Sequence, residues 1–299
     1  MAQNFPEIWL GRIIENLTKA DVATFLDGIP EIAANVTTIH AGQVTEKNKI
    51  YVPTSEFEVD VLINNTTYPL EVQEYEDGTI EITLDKYQTK VVSISEDAAL
   101  GASYDKIDQA TRSLLRAILV KKYSKAIDSI APASHTADTP VIQATGGADA
   151  VEIAGRKILV YEDLVEAKRQ CKGYENPRIV LTNDHWNDLL LDRKNFGNQL
   201  VDYAKGKPNP VIAGFELHQY EGTMPTYTAA GAKKAFGSVP DPTDTEASVI
   251  FEPLAIGKKT GVTRQYYDKP TTKEQAHMYA LRHYFIAVPY AAKKIGAIR

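Results

Sequence analysis

Residues 103–130 read SYDKIDQATRSLLRAILVKKYSKAIDSI, and the rest of the chain is organised around them. The stretch holds neither Gly nor Pro, and Ala, Leu, Lys, Arg and Gln recur through it, so propensity favours a helix along its whole length. Ile107, Ala110, Leu114, Ala117 and Ile118 fall at steps of three and four. Leu119, Tyr123, Ala126, Ile127 and Ile130 carry the stripe on with a slight drift. Ser103 is placed to cap the start, Asp105 sits in the first turn, and Pro132 stops the chain just beyond. At about 1.5 Å per residue this is a rod of roughly 40 Å, more than twice the mean helix length of about 11–12 residues.

Upstream, Phe57, Val59, Val61 and Ile63 alternate with Glu58, Asp60 and Leu62, which is strand periodicity, before the polar run NNTTYP. Asp77-Gly78 reads as a further turn, after which Ile80, Ile82 and Leu84 alternate with Glu81, Thr83 and Asp85. Thr89–Ile94 is a third extended piece. Ser55–Asp85 contains nine acidic residues and no Lys or Arg. A long acidic hairpin with so few apolar residues needs another surface to lie on. Residues 1 to about 45 form an arm, helical over Gly11–Asp27, without the apolar content for a core of its own.

Downstream, Ala131–Ala154 is rich in Ala, Thr, Pro and Gly and reads as a boundary loop. A compact α/β pattern follows. Tyr161–Gln170 reads as a helix and RIVLT, Arg178–Thr182, as a buried strand. Asn183 and Asp184 then cap a helix to about Asp192. Val211–Tyr220, VIAGFELHQY, has a Gly before an alternating strand, Gly222–Asp244 is loop-rich, and Ser248–Phe251 and Leu254–Ile256 are short strands. Thr263–Tyr267, a turn at Lys269-Pro270, Ala276–Ala287 and the basic tail AAKKIGAIR close the chain as extended segments.

The chain has 299 residues and a formal net charge of −6, so a dedicated nucleic-acid binder with a basic footprint is disfavoured. No stretch approaches the roughly 20 apolar residues of a membrane span, and the N-terminus has no secretion-signal pattern. The single cysteine, Cys171, excludes an internal disulfide framework and a cysteine-based metal cluster. No nucleotide-binding loop, HExxH or GxSxG motif is present. Asp184, His185 and Asp188 lie close in sequence, but only Asp184 and Asp188 share a helical face, and we read a capping aspartate and an exposed histidine. His277 and His283 fall in a strand pattern. Catalytic residues, cofactors and metals are therefore expected to be absent.

The order of elements — arm, hairpin, spine helix, α/β segment, closing strands — resembles that of tailed-bacteriophage major capsid proteins with the Hong Kong 97-type capsid fold, an α+β class. The likeness is carried by the hairpin from about Lys49 to Lys90, by VVSISEDAALGASYDKID running into the spine, by NPRIVLTNDHWNDLLLD with NPVIAGFELHQY, and by SVIFEPLAIGKKTG. It implies an N-terminal arm over 1–45 and an extended loop with its lead-in strand over 46–95. It further implies a peripheral domain from 96–155 and 259–299, and an axial domain over 156–258.

The implied function is self-assembly, as hexamers and pentamers, into an icosahedral head around double-stranded DNA. The subunit would be made in the host cytoplasm and reside in the virion. The implied partners are other copies, with scaffolding, portal and possibly decoration proteins; DNA is enclosed without sequence-specific binding, and no membrane is involved. Because Ser55–Asp85 has no Lys, a lysine cross-link from the loop tip is not expected, and scaffolding is expected from a separate or removed segment. Glu71, Glu74, Glu76 and Asp77 of the hairpin are expected to meet Arg112, Arg116, Lys121, Lys122 and Lys125 on a neighbour's spine. The alternatives are an encapsulin-type compartment shell, a tail or adaptor protein, and a soluble α/β enzyme with an acid-lined pocket in 156–258.

Overall fold

The computed structural model describes residues 23–33, 37–40, 46–55, 77–95, 105–153, 155–191, 201–202, 207–208, 211–271 and 275–299. The chain divides into two compact units, Ile32–Asp85 and the remainder.

The smaller unit is a three-stranded antiparallel sheet of β1 (Thr37–His40), β2 (Glu46–Ser55) and β3 (Asp77–Thr83), with β2 in the middle. Asp77-Gly78, expected as a turn, lies in the ladder instead, with Ser55 opposite Asp77 and Thr54 opposite Gly78. The pairing partner is EKNKIYVPTS, whose charges and proline hide its strand periodicity. Lys49 and Glu81 form an ion pair across the two strands. The expected strand Phe57–Ile63 lies outside the described residues.

The larger unit starts with a 3-10 turn at Thr24–Leu26. Then follow β4 (Asp85–Gln88), β5 (Val92–Ser95), α1 (Asp105–Ile130), β6 (Val141–Ile142), β7 (Glu152–Ile153), β8 (Arg156–Lys157) and α2 (Tyr161–Gln170). Next come β9 (Arg178–Leu181), α3 (Asn183–Leu191), β10 (Val201–Asp202), β11 (Lys207–Pro208), β12 (Val211–Ile212) and β13 (Phe215–Gln219). The chain ends with β14 (Thr226–Tyr227), β15 (Thr245–Glu246), β16 (Ser248–Phe251), β17 (Ile256–Thr260), β18 (Arg264–Asp268), β19 (Ala276–Pro289) and β20 (Ile295–Ile298).

The helix α1 has 26 residues and ends where Pro132 requires; Ser103 lies outside the described residues. Burial follows the expected stripe at Ile118, Leu119, Tyr123, Ala126, Ile127 and Ile130, with one correction. Leu115 is buried, whereas Ala117 is exposed. The helix packs on β19, the 14-residue strand at the heart of a five-stranded antiparallel sheet. β17 pairs with Phe285–Pro289 and β18 with Met278–Arg282, while β5 pairs with Ala276–Tyr279.

A second sheet of six strands runs β12-β13-β9-β16-β20-β6. Period-two alternation splits its side chains between two cores. Ile179, Leu181, Leu217 and Ile250 face Leu164 and Ala167 of α2 and Leu189 of α3. Val180, Val249 and Phe251 point the other way, into the core shared with α1. Burial on both faces explains why RIVL and SVIF are continuous apolar runs. At Ala213-Gly214, φ angles of 51° and 81° make the tight hairpin turn between β12 and β13.

Three boundaries differ from expectation. The last strand, β20, lies in the six-stranded sheet beside β16, not with the five-stranded sheet of the closing segment. Leu254 belongs to a 3-10 turn at Pro253–Ala255 because Pro253 cannot extend the ladder, and the strand begins at Ile256. The cap of α3 is Thr182, whose Oγ1 accepts the His185 backbone N–H at 3.1 Å; Asn183 and Asp184 are already helical.

Candidate assembly interface

The spine helix sorts its six cationic side chains. Arg112, Arg116 and Lys121 are exposed, in register with exposed Ser113, Ala117 and Val120, because positions four apart share a face. None of the three cations makes an ion pair among the described residues. Lys122 is instead only 3% exposed, with its ammonium 4.3 Å from the Phe285 ring centroid, and Lys125 lies against Asp128 and Phe236. Lys122 is therefore removed from the expected contact set, because a drift of one position carries it to the face packed on β19. Of the acidic partners, Asp77 lies on β3, and Glu71, Glu74 and Glu76 lie outside the described residues.

The root of the arm is seated within its own unit. Phe25, Leu26 and Ile29 are buried, and Phe25 meets Tyr220 edge-on at 5.5 Å. Two cations grip the carbonyls of this turn. Arg178 donates to Phe25 and Asp27 while paired with Glu216 at 2.7 Å, and Lys258 donates to Leu26 at 3.0 Å. The helix expected over Gly11–Asp27 reduces, within the described residues, to the 3-10 turn.

The other polar concentration is an open cleft of about 440 Å³ lined by Arg156, Asp184, His185, Glu246 and Arg299, among others. Arg156 fills the role that Asp184, His185 and Asp188 left unassigned. Its guanidinium forks onto both oxygens of buried Asp188 (2.6 and 3.0 Å) and reaches Asp184 at 3.3 Å. Asp188 also accepts the Leu159 N–H at 3.0 Å. His185, expected on the surface, is only 2% exposed.

Ser248 Oγ accepts the Thr182 N–H (3.1 Å) and lies in hydrogen-bond reach of His185 Nδ1 (2.7 Å). Burial, followed by the Arg156 charge, pushes His185 down to about 4. Glu246 is raised, first by burial and then by Asp184. Ser248 is fully buried, so it has no access to a substrate. The carboxylates here are consumed in holding β8 to α3. His283, also buried, bonds Thr263 at 2.9 Å and is pushed down to about 4 by burial and Lys122. No group of three or more His, Cys, Asp or Glu among the described residues is arranged to hold a metal.

Residues 76–296, roughly three quarters of the chain, match the family of phage capsid proteins. No curated protein matches the sequence. The fold is similar to that of the capsid of the native GTA particle, at 12% identity and a TM-score of 0.61, covering 91% of this chain and 88% of that one. It is similar to the capsid of cyanophage P-SCSP1u, at 14% identity, TM-score 0.56 and coverage of 91% and 86%. It is also similar to Gordonia phage Cozz, at 12% identity, TM-score 0.58 and coverage of 92% and 85%. At such identities the structures speak for the fold, and the sequence match speaks for the family; the chain belongs to the phage capsid protein family, a structural subunit of the phage head.

Proposed function

We propose that this subunit assembles as hexamers and pentamers into an icosahedral shell by laying its acidic hairpin along a neighbour's spine helix. The observation that carries this reading is the exposed face of α1. Arg112, Arg116 and Lys121 stand around Val120, with no ion pair of their own among the described residues, in a chain whose Ser55–Asp85 segment holds nine acids and no base. Each exposed pair is worth only about 0–1 kcal/mol. Repeated around a shell, such pairs set register and choice of neighbour, because mismatched like charges repel.

In this reading the hairpin is the overreaching element, and α1 with the β19 sheet forms a peripheral domain. Residues 156–258, closed by β20, form the axial domain. The subunit acts by enclosure, without catalytic turnover and without reading DNA sequence. A portal and a scaffolding protein complete the head, and a decoration protein is compatible with a shell held non-covalently.

Reciprocal charge reversal tests the contact. Arg112→Glu with Arg116→Glu should block assembly at low salt, as should Glu74→Lys with Glu76→Lys and Asp77→Lys. Mixing the two variants should restore assembly by allowing reversed hairpins to meet reversed helices. Assembly of either variant alone at the wild-type concentration would remove the contact from the proposal.

A further inference from the structure

Pairing in register with Arg178 and Val180 of β9 turns Glu216 and His218 of β13 toward the core shared with α1. At β13 this face is covered by the root of the arm. The 3-10 turn lays Phe25 against Tyr220 and Thr24 against His218, with Thr24 Oγ1 3.1 Å from His218 Nδ1. From β9, Arg178 donates to the carbonyls of Phe25 and Asp27. Lys258, on β17 of the five-stranded sheet, donates from Nζ to Leu26 (3.0 Å) and from its backbone N–H to Pro30 (3.1 Å), and bridges to Glu31 in parallel. Residues 23–31 thus form a strap from one sheet to the other. Gly28, at φ 71°, makes the left-handed bend between the two grips.

The strap closes over a titratable ring. The His218 side chain is only 10% exposed, with Nε2 3.4 Å from Glu216 Oε1. Glu216 is already committed through its other oxygen to Arg178, at 2.7 Å. The charged groups facing the ring are Glu216 on its own strand, Arg178 on β9 and Asp27 on the strap. A proton on His218 would set a second cation beside the Arg178 guanidinium, drawing on one shared carboxylate and sheltered from water. Burial lowers the ring's affinity for that proton; Glu216 opposes this, Arg178 adds to it and Asp27 opposes it. The other grips on the strap are lysine and arginine, which stay charged at neutral and mildly acid pH. Among these contacts, His218 alone changes charge there.

We infer that residues 23–31 are a proton-released strap: over neutral His218 the turn seats across both sheets, and a proton on His218 favours the state in which the turn has lifted and the ring meets water. The sign follows from linkage. A ring that binds its proton less well when covered takes it up more readily when uncovered. Acid below about pH 6.5 therefore draws the equilibrium toward the lifted form, by at most about tenfold per pH unit for one proton. Burial of Phe25, Leu26 and Ile29 keeps the seated form dominant at neutral pH. Because the strap is tied to both sheets, its release removes a tie that fixes the angle between them. The device belongs to the single subunit and does not depend on the hairpin–helix contact.

Hydrogen exchange of the full-length chain, read by mass spectrometry from about pH 8 to about pH 5 on peptides covering 24–31, tests the strap. His218→Gln, which keeps a polar side chain but cannot charge, is the reference, and the ratio of wild-type to variant exchange at each pH cancels the intrinsic chemistry. The ratio should be flat above about pH 6.5 and rise severalfold toward pH 5, while the same ratio in α2 stays near one. Thr24→Val removes the hydrogen bond but keeps the ring covered. It should raise exchange of 24–31 at every pH and retain the acid rise, which decides the matter if glutamine fails to seat the turn. A ratio that does not change with pH, or a Thr24→Val profile without an acid rise, would overturn the inference. So would an equal rise in α2, which marks unfolding of the whole unit rather than release of the strap.

Discussion

At the scale of single residues, the sites that looked most like chemistry prove to be joints. Asp188 is buried and bonded by Arg156 and by a backbone N–H. Asp188→Asn would leave the Arg156 guanidinium only the exposed Asp184 as counter-charge, a weakening of charge-assisted hydrogen bonds of the class that costs about 1.5–3 kcal/mol, visible as a lowered midpoint in denaturant unfolding. His185 and His283 give a pH signature. Both are held near 4 in the folded chain against an ordinary value of about 6.5. The unfolded chain therefore binds the extra protons first. Stability contributed by the neutral rings is full above about pH 6.5 and drains away as the pH falls toward 4, by on the order of 3 kcal/mol for fully buried His185. A melting temperature that falls over this window, less steeply in His185→Asn, is the expected result; a flat profile would contradict it. Sequence could not show this, because the burial of His185 and the role of Asp188 depend on Ser248 and Arg156, which lie 63 and 32 positions away.

At the scale of elements, what was legible was whatever a local pattern determines. The end of α1 at Ile130 follows from helix formers running up to a proline, and α2 occupies Tyr161–Gln170 as its periodicity requires. The strand β2 was not legible, since a run with two lysines and a proline lacks apolar alternation and gains its ladder from β3. The Asp77-Gly78 pair, a turn signal in isolation, was overridden by the same ladder. The C-terminal cap of α1 is another long-range feature, since Lys233 stands 105 and 102 positions from the carbonyls it bonds. Lys233→Met should cost about 2 kcal/mol through two lost charge-assisted hydrogen bonds and the helix dipole. Hydrogen exchange in the last turn of α1 should rise accordingly, while exchange in α2 stays as it was. Equal exchange in both variants would show the clamp to be dispensable.

At the scale of the whole molecule, the acidic hairpin and the exposed basic face of α1 have complementary charge. The expected contact set was too broad, since Lys122 faces the core; helical phase, read from an imperfect stripe, was off by enough to misplace it. If exposed pairs set register, shell assembly should weaken between low and high salt, because surface charges are screened beyond about 8 Å at physiological ionic strength. The measurement we would make first is electron microscopy of the heaviest fraction of the full-length chain after size exclusion, alone and with a scaffolding partner. We expect closed shells, or hexamers and pentamers that close into shells on concentration. A monomer or small fixed oligomer under every condition would contradict the account.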